Sequence, residues 1–204
     1  KNLKKGLHLG NRFYRFRYME CTFFRTELDD RHWGEAFRRS EELPIMNKSH
    51  RGYKANQVGC LGEVIIEEFF NDHGVYFRDD RSEYTHDYEI NQRFTLDVKT
   101  KDRTVVPRVH YENSVPCYQM DYQKPDFYYF VSLYRDKGTD TTDIRRFTEG
   151  YIVGGINRNK LLKIGTLWEK DSIDDSNDTH FWTDCINIKM SDLISNHSMI
   201  NIFT

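Results

Sequence analysis

Residues 84–100 read YTHDYEINQRFTLDVKT, and this stretch decides the fold class. In its second half Phe94, Leu96 and Val98 fall on one side of an extended chain while Thr95, Asp97 and Lys99 fall on the other. That is the two-residue period of a strand with one apolar face. Asn91 and Gln92 mark a turn, so 84–90 reads as the partner strand of 94–100. Asp97 and Lys99 share a face opposite a wholly apolar one, which separates them from charge scattered around a turn. Pairing across the turn brings Asp87 within reach of Asp97. Two carboxylates held close repel each other unless a cation or a shared proton intervenes.

Upstream, Val58, Leu61, Ile65 and Phe69 follow helical spacing through 55–73, Val64 and Ile66 widen the stripe, and Gly74 is placed to stop the helix. Gly62 inside it costs about 1 kcal/mol relative to alanine, which points to tight packing at that spot. Residues 75–77 read as a short strand. Downstream, the apolar run DFYYFVSLY over 126–134 has the mark of a strand covered on both faces and therefore central. Residues 151–156 predict a further strand, 157–164 a short helix or turn, and 184–188 a last short strand. At the amino-terminal side, 12–26 mixes arginine with aromatics in a β-prone run. Asp29 or Asp30 caps a helix running to about Leu43, with Trp33, Ala36 and Phe37 on one face and Pro44 ending it. Residues 44–54 read as a polar linker. The order of elements predicts an α/β fold, a mixed sheet with the 55–73 helix packed on it.

The chain has 204 residues, 38% hydrophobic and 30% charged, the composition of one soluble globular domain. A net charge of −2 argues against a wholesale electrostatic binder of nucleic acid and leaves local basic surface, in 1–25 and in 93–108. The acids of 169–184 read as a solvated loop. Cys21, Cys60, Cys117 and Cys185 lie far apart, with neither zinc-ribbon nor redox-dithiol spacing. No apolar run is long enough to span a bilayer, and the start lacks the apolar stretch of a signal peptide, so the chain is expected to be cytoplasmic with no membrane partner.

An acid two residues before a lysine recurs by chance in a chain with 32 acids and 13 lysines, so Asp97-Val98-Lys99 carries weight through its context. An acid near a turn, followed a strand later by acid-x-lysine, resembles the PD-(D/E)XK nuclease superfamily over about residues 55–135. Asp87 and Asp97-x-Lys99 match its core motif, and Glu63 fits the glutamate that many members carry on the preceding helix. His86 stands where the motif has proline, and it reads as a polar packing group.

The resemblance implies a restriction-endonuclease-like fold, a mixed central sheet flanked by helices. Residues 51–204 would form the nuclease-like core, with 1–50 as a basic, aromatic amino-terminal extension packed on it. It implies a metal-dependent endonuclease that hydrolyses phosphodiester bonds, most commonly in DNA. Glu63, Asp87, Asp97 and Lys99 would be catalytic. Asp87, Asp97, the Val98 carbonyl and Glu63 would hold Mg²⁺, or Mn²⁺ in its place, as hard oxygen ligands. Lys101, Arg103 and Gln119 would contact nucleic acid. A homodimer, or a subunit of a larger repair, phage or defence complex, is the expected assembly. The alternative is a noncatalytic nucleic-acid-binding or assembly protein that retains the fold.

Overall fold

A computed structural model describes residues 14–18, 21–43, 53–139, 141–175 and 178–204. At the amino-terminal side, β1 (Tyr14–Tyr18) pairs antiparallel with β2 (Cys21–Glu27). Helix α1 (Asp30–Glu42) follows, and of the two aspartates predicted to cap it, Asp29 does so. Its carboxylate accepts from the N–H groups of Arg31 and His32 and lies 2.7 Å from the His32 ring Nδ1. Ala36 is buried, but Phe37 is 46% exposed, so the predicted apolar face is narrower than its composition implies. Most of the 44–54 linker lies outside the described residues, and its last residues already belong to α2 (Tyr53–Asp72).

Helix α2 carries the core. Leu61, Ile65, Ile66, Phe69 and Phe70 are fully buried, each contributing roughly 1.5–3 kcal/mol of apolar transfer. Its end is a Schellman arrangement: Gly74 donates to Asn71 O and Val75 to Phe70 O, with Gly74 at φ +67° in the left-handed region that glycine adopts without cost.

The sheet strands that follow are β3 (Phe77–Asp79), β4 (Tyr88–Ile90) and β5 (Phe94–Arg103). The strand expected at 75–77 thus begins only at Phe77, and the one expected at 84–90 is confined to its last three residues. A 3-10 turn at Arg81–Glu83 and a left-handed Tyr84 at φ 57° break the extended path before it. Asn91 and Gln92 both take left-handed conformations, at φ 50° and 55°, and Arg93 N–H closes the turn on Ile90 O.

After β5 come β6 (Glu112–Pro116), β7 (Phe127–Tyr134), β8 (Glu149–Asn157), α3 (Arg158–Ile164) and β9 (Thr166–Trp168). A small hairpin of β10 (Ile173–Asp174) and β11 (Thr179–His180) interrupts the acidic stretch read as loop. The described chain ends with β12 (Cys185–Lys189) and α4 (Asn196–Phe203).

The main sheet has the order β1-β2-β8-β7-β5-β4-β3, with β5 and β7 parallel and the other neighbours antiparallel. The fold is therefore mixed α/β, with a mixed sheet flanked by helices. Strand β7 lies between β5 and β8 and is buried on both faces, as its unbroken apolar run requires. One face of the sheet packs against α2, Ala36 of α1 and Met199 and Phe203 of α4. The other packs against Leu161 of α3 and against Val115 and Ile188 from a second sheet, β6-β12-β9. Among the described residues no helix is long and apolar enough to cross a membrane.

Candidate functional site

The sequence-predicted residues gather where α2, the entry to β4 and the middle of β5 meet. Leu96 and Val98 point into the helix-side core, so alternation turns Asp97 and Lys99 the other way. Asp97 is 2% exposed, and its Oδ2 is buried without a hydrogen-bond partner. Its counter-charge is Lys99, whose Nζ lies 2.5 Å from that oxygen as an ion pair outside aligned hydrogen-bond geometry. Lys99 Nζ also donates to Gln123 Oε1 at 3.4 Å, and Gln123 Nε2 donates to Tyr84 O at 3.5 Å. Burial draws the Lys99 ammonium down, yet the carboxylates of Asp97 and Asp87 outweigh it and hold the lysine above its usual range.

Asp87 stands one residue before β4. Its N–H donates to Leu96 O at 2.9 Å, and its Oδ2 accepts from Val98 N–H at 2.7 Å. A side chain thus continues the ladder where the backbone of β4 gives out. Burial, then the charges of Asp97 and Glu63, push the Asp87 carboxyl well above the usual carboxylate range, against the opposing pull of Lys99 and the Val98 N–H. The two aspartates therefore repel each other, as the hairpin pairing predicts.

Glu63 projects from α2 one residue after Gly62. A Cβ on Gly62 would clash with Thr100 Oγ1 and lie 3.0 Å from Thr100 Cβ and Cγ2, so glycine lets the helix approach β5 closely. Glu63 is 8% exposed, and burial raises its carboxyl pKa against the lowering effect of Arg81, whose Nη1 donates to Glu63 Oε2 at 2.8 Å. Arg81 in turn pairs with Asp79. Sequence reasoning missed Arg81 and Gln123; neither belongs to a periodic segment, and only the fold brings them beside Glu63 and Lys99.

Among the described residues no group of three or more His, Cys, Asp or Glu side chains is arranged to hold a metal ion. Glu63 is committed to Arg81, and Asp87 has the charges of both Asp97 and Glu63 close by. The chemistry of Asp87 and Asp97 still fits a hard divalent cation: two acidic oxygen donors in mutual repulsion, with the Lys99 ammonium as the counter-charge on Asp97.

The remaining predicted residues divide between two cavities. Gln119 lines one of about 140 Å³ together with Glu63, Arg81, His86 and Asp87, and its Oε1 is buried without a partner. His86 faces Asp80, with Nε2 3.3 Å from Oδ2. Lys101 and Arg103 line a separate cavity of about 790 Å³ against the second sheet. No protein-family model matches the chain, and neither does any curated protein.

Proposed function

We propose that this chain is a metal-dependent endonuclease of the PD-(D/E)XK type, hydrolysing phosphodiester bonds with DNA as the first substrate, on a restriction-endonuclease-like version of its mixed α/β fold. The observation that carries the reading is the Asp97–Lys99 ion pair on β5 beside an Asp87 carboxylate anchored to Val98 N–H. Asp87, Asp97 and the Val98 carbonyl would hold Mg²⁺ or Mn²⁺, with Glu63 contributing directly or through water. Bound there, the ion would supply a water of lowered pKa and charge stabilisation on the phosphate. Lys99 would position or deprotonate that water, and its ammonium would act as a preorganised donor to the developing negative charge. Gln119, which lines the same cavity as Asp87, would contact the strand.

The Arg81–Glu63 pair favours a second reading, a noncatalytic nucleic-acid-binding or assembly protein, because it already neutralises the third acid without a metal. Incubation of supercoiled plasmid with the protein in Mg²⁺, Mn²⁺, Ca²⁺ or excess chelator separates the two. Cleavage in Mg²⁺ and Mn²⁺, binding without fast cutting in Ca²⁺, and neither cleavage product in chelator support the nuclease. Binding with no cleavage in any metal supports the second reading.

A further inference from the structure

Beyond the Asp97–Lys99 pair, β5 continues into a different chemical setting. Lys101 and Arg103 follow Lys99 at two-residue steps of roughly 6.6 Å, so they share its face of the strand. They line the cavity of about 790 Å³ between β5 and the β6-β12-β9 sheet, a size suited to a small ligand. Lys101 Nζ donates to Glu112 O at 3.4 Å, and Arg103 Nη2 donates to the same carbonyl at 2.6 Å and to Asn113 Oδ1 at 3.3 Å. Arg103 Nε donates to Ser132 Oγ at 3.0 Å. Among the described residues neither cation has a carboxylate oxygen within the 4.0 Å of an ion pair. The Glu112 carboxylate, which also lines the cavity, accepts from Asn187 Nδ2 at 2.8 Å.

Two half-buried cations that share one carbonyl repel each other and are poorly solvated, which makes them costly without a counter-ion. Burial first, then the neighbouring Arg103 charge, pushes Lys101 down to about 8, and burial pushes Arg103 down to about 10. Unused donors stand beside them. Asn113 is 1% exposed with its Nδ2 unpartnered, and its other amide atom is held by Arg103. Trp168, on the cavity wall, has a buried Nε1 without a partner. The cavity wall also carries the carboxylates of Asp102, Glu112 and Asp174, of which Asp102 is paired with Arg135 and Arg146. Two cations outside any ion pair among the described residues, with the unpartnered Trp168 N–H on the same wall, match a tetrahedral oxyanion.

We propose that this cavity is a phosphate-binding site in which Lys101 and Arg103 grip the phosphate group of a nucleotide or of a nucleic-acid strand. The site stands on its own geometry and does not require that the Asp87–Asp97 site cut anything.

The test is acylation of Lys101 by a water-soluble N-hydroxysuccinimide ester, read by mass spectrometry on the full chain in excess chelator, so that cleavage plays no part. Inorganic phosphate, a 5′-mononucleotide, a 5′-phosphorylated oligonucleotide and its 5′-hydroxyl counterpart are each compared with chloride at equal ionic strength. Phosphate at a few times its Kd is expected to slow Lys101 labelling about fivefold relative to the other lysines and to raise the Tm. Lys101→Gln, where it folds, is expected to lose the Tm shift; the wild-type labelling decides if it does not. Protection by the mononucleotide and the 5′-phosphorylated oligonucleotide alone assigns a terminal or free phosphate, and equal protection by the 5′-hydroxyl oligonucleotide assigns a backbone diester. Labelling of Lys101 that none of the four alters would overturn the proposal.

Discussion

Lys99 Nζ lies 2.5 Å from Asp97 Oδ2, and this ion pair determines how the site behaves without metal. Asp87 and Asp97 taken alone read as two repelling carboxylates, so that neutralising one should relieve the fold. The ion pair reverses the sign, because Asp97→Asn leaves Lys99 with only Asp87 as counter-charge. Breaking a buried pair on one side strands the other charge. Asp97→Asn is expected to cost about 2 kcal/mol in chelator, roughly 4–8 °C in Tm for a chain of this size. Thermal unfolding checks it; an unchanged or higher Tm would mean that carboxylate repulsion outweighs the pair.

Stability should depend on pH through a histidine away from the site. His32 is 1% exposed between two carboxylates, with Nδ1 2.7 Å from Asp29 Oδ1 and Nε2 3.0 Å from Glu68 Oε2. Burial lowers its pKa, and the bonds and charges of Glu68 and Asp29 outweigh burial, so the folded value lies above the ordinary one of about 6.5. A raised folded pKa means that the contribution is complete below the unfolded value and is lost as pH rises through the folded one. Urea unfolding from pH 5.5 upward should show wild type losing this increment while His32→Gln does not. Parallel pH profiles for the two proteins would contradict it.

How closely α2 approaches β5 is testable at Gly62. Gly62→Ala drives a methyl into Thr100, an overpacking cost of about 1–3 kcal/mol, and Thr100→Ala in the same chain should recover part of it. A double-mutant cycle in urea measures the coupling; strictly additive losses would show that the two positions do not touch.

Much of this was legible in the sequence because it is periodic. The stripe of Leu61, Ile65 and Phe69, the alternation of 94–100 and the unbroken run of 127–134 each report burial directly, and each element formed where its pattern lies. Of the second sheet only β12 was legible, as the strand read at 184–188; its neighbours were hidden because β6 reads ENSVP, with asparagine, serine and proline that usually mark turns, and β9 spans only Thr166–Trp168. Helix α4 also escaped, since Ser195 and Asn196 resemble loop residues until the Ser195 side chain is seen capping Ser198 N–H. At the site, the spacing exposed Asp87, Asp97 and Lys99 as neighbours. It could not show that Arg81 would reach Glu63 from the turn after β3, because that contact depends on how α2 lies across the hairpin.

The measurement that tests the central claim most directly is single-turnover cleavage of a plasmid and of a short duplex at saturating Mg²⁺, comparing wild type with Lys99→Ala and Lys99→Arg. The compact ammonium fits beside Asp97 and, under the nuclease reading, would leave room for a phosphate, whereas guanidinium is broad and presents its donors in a fixed fork. Wild type is expected to cut, and both variants to cut at least about 100-fold more slowly while still binding DNA in Ca²⁺. Cleavage by Lys99→Arg at the wild-type rate, or by wild type in excess chelator, would contradict the account.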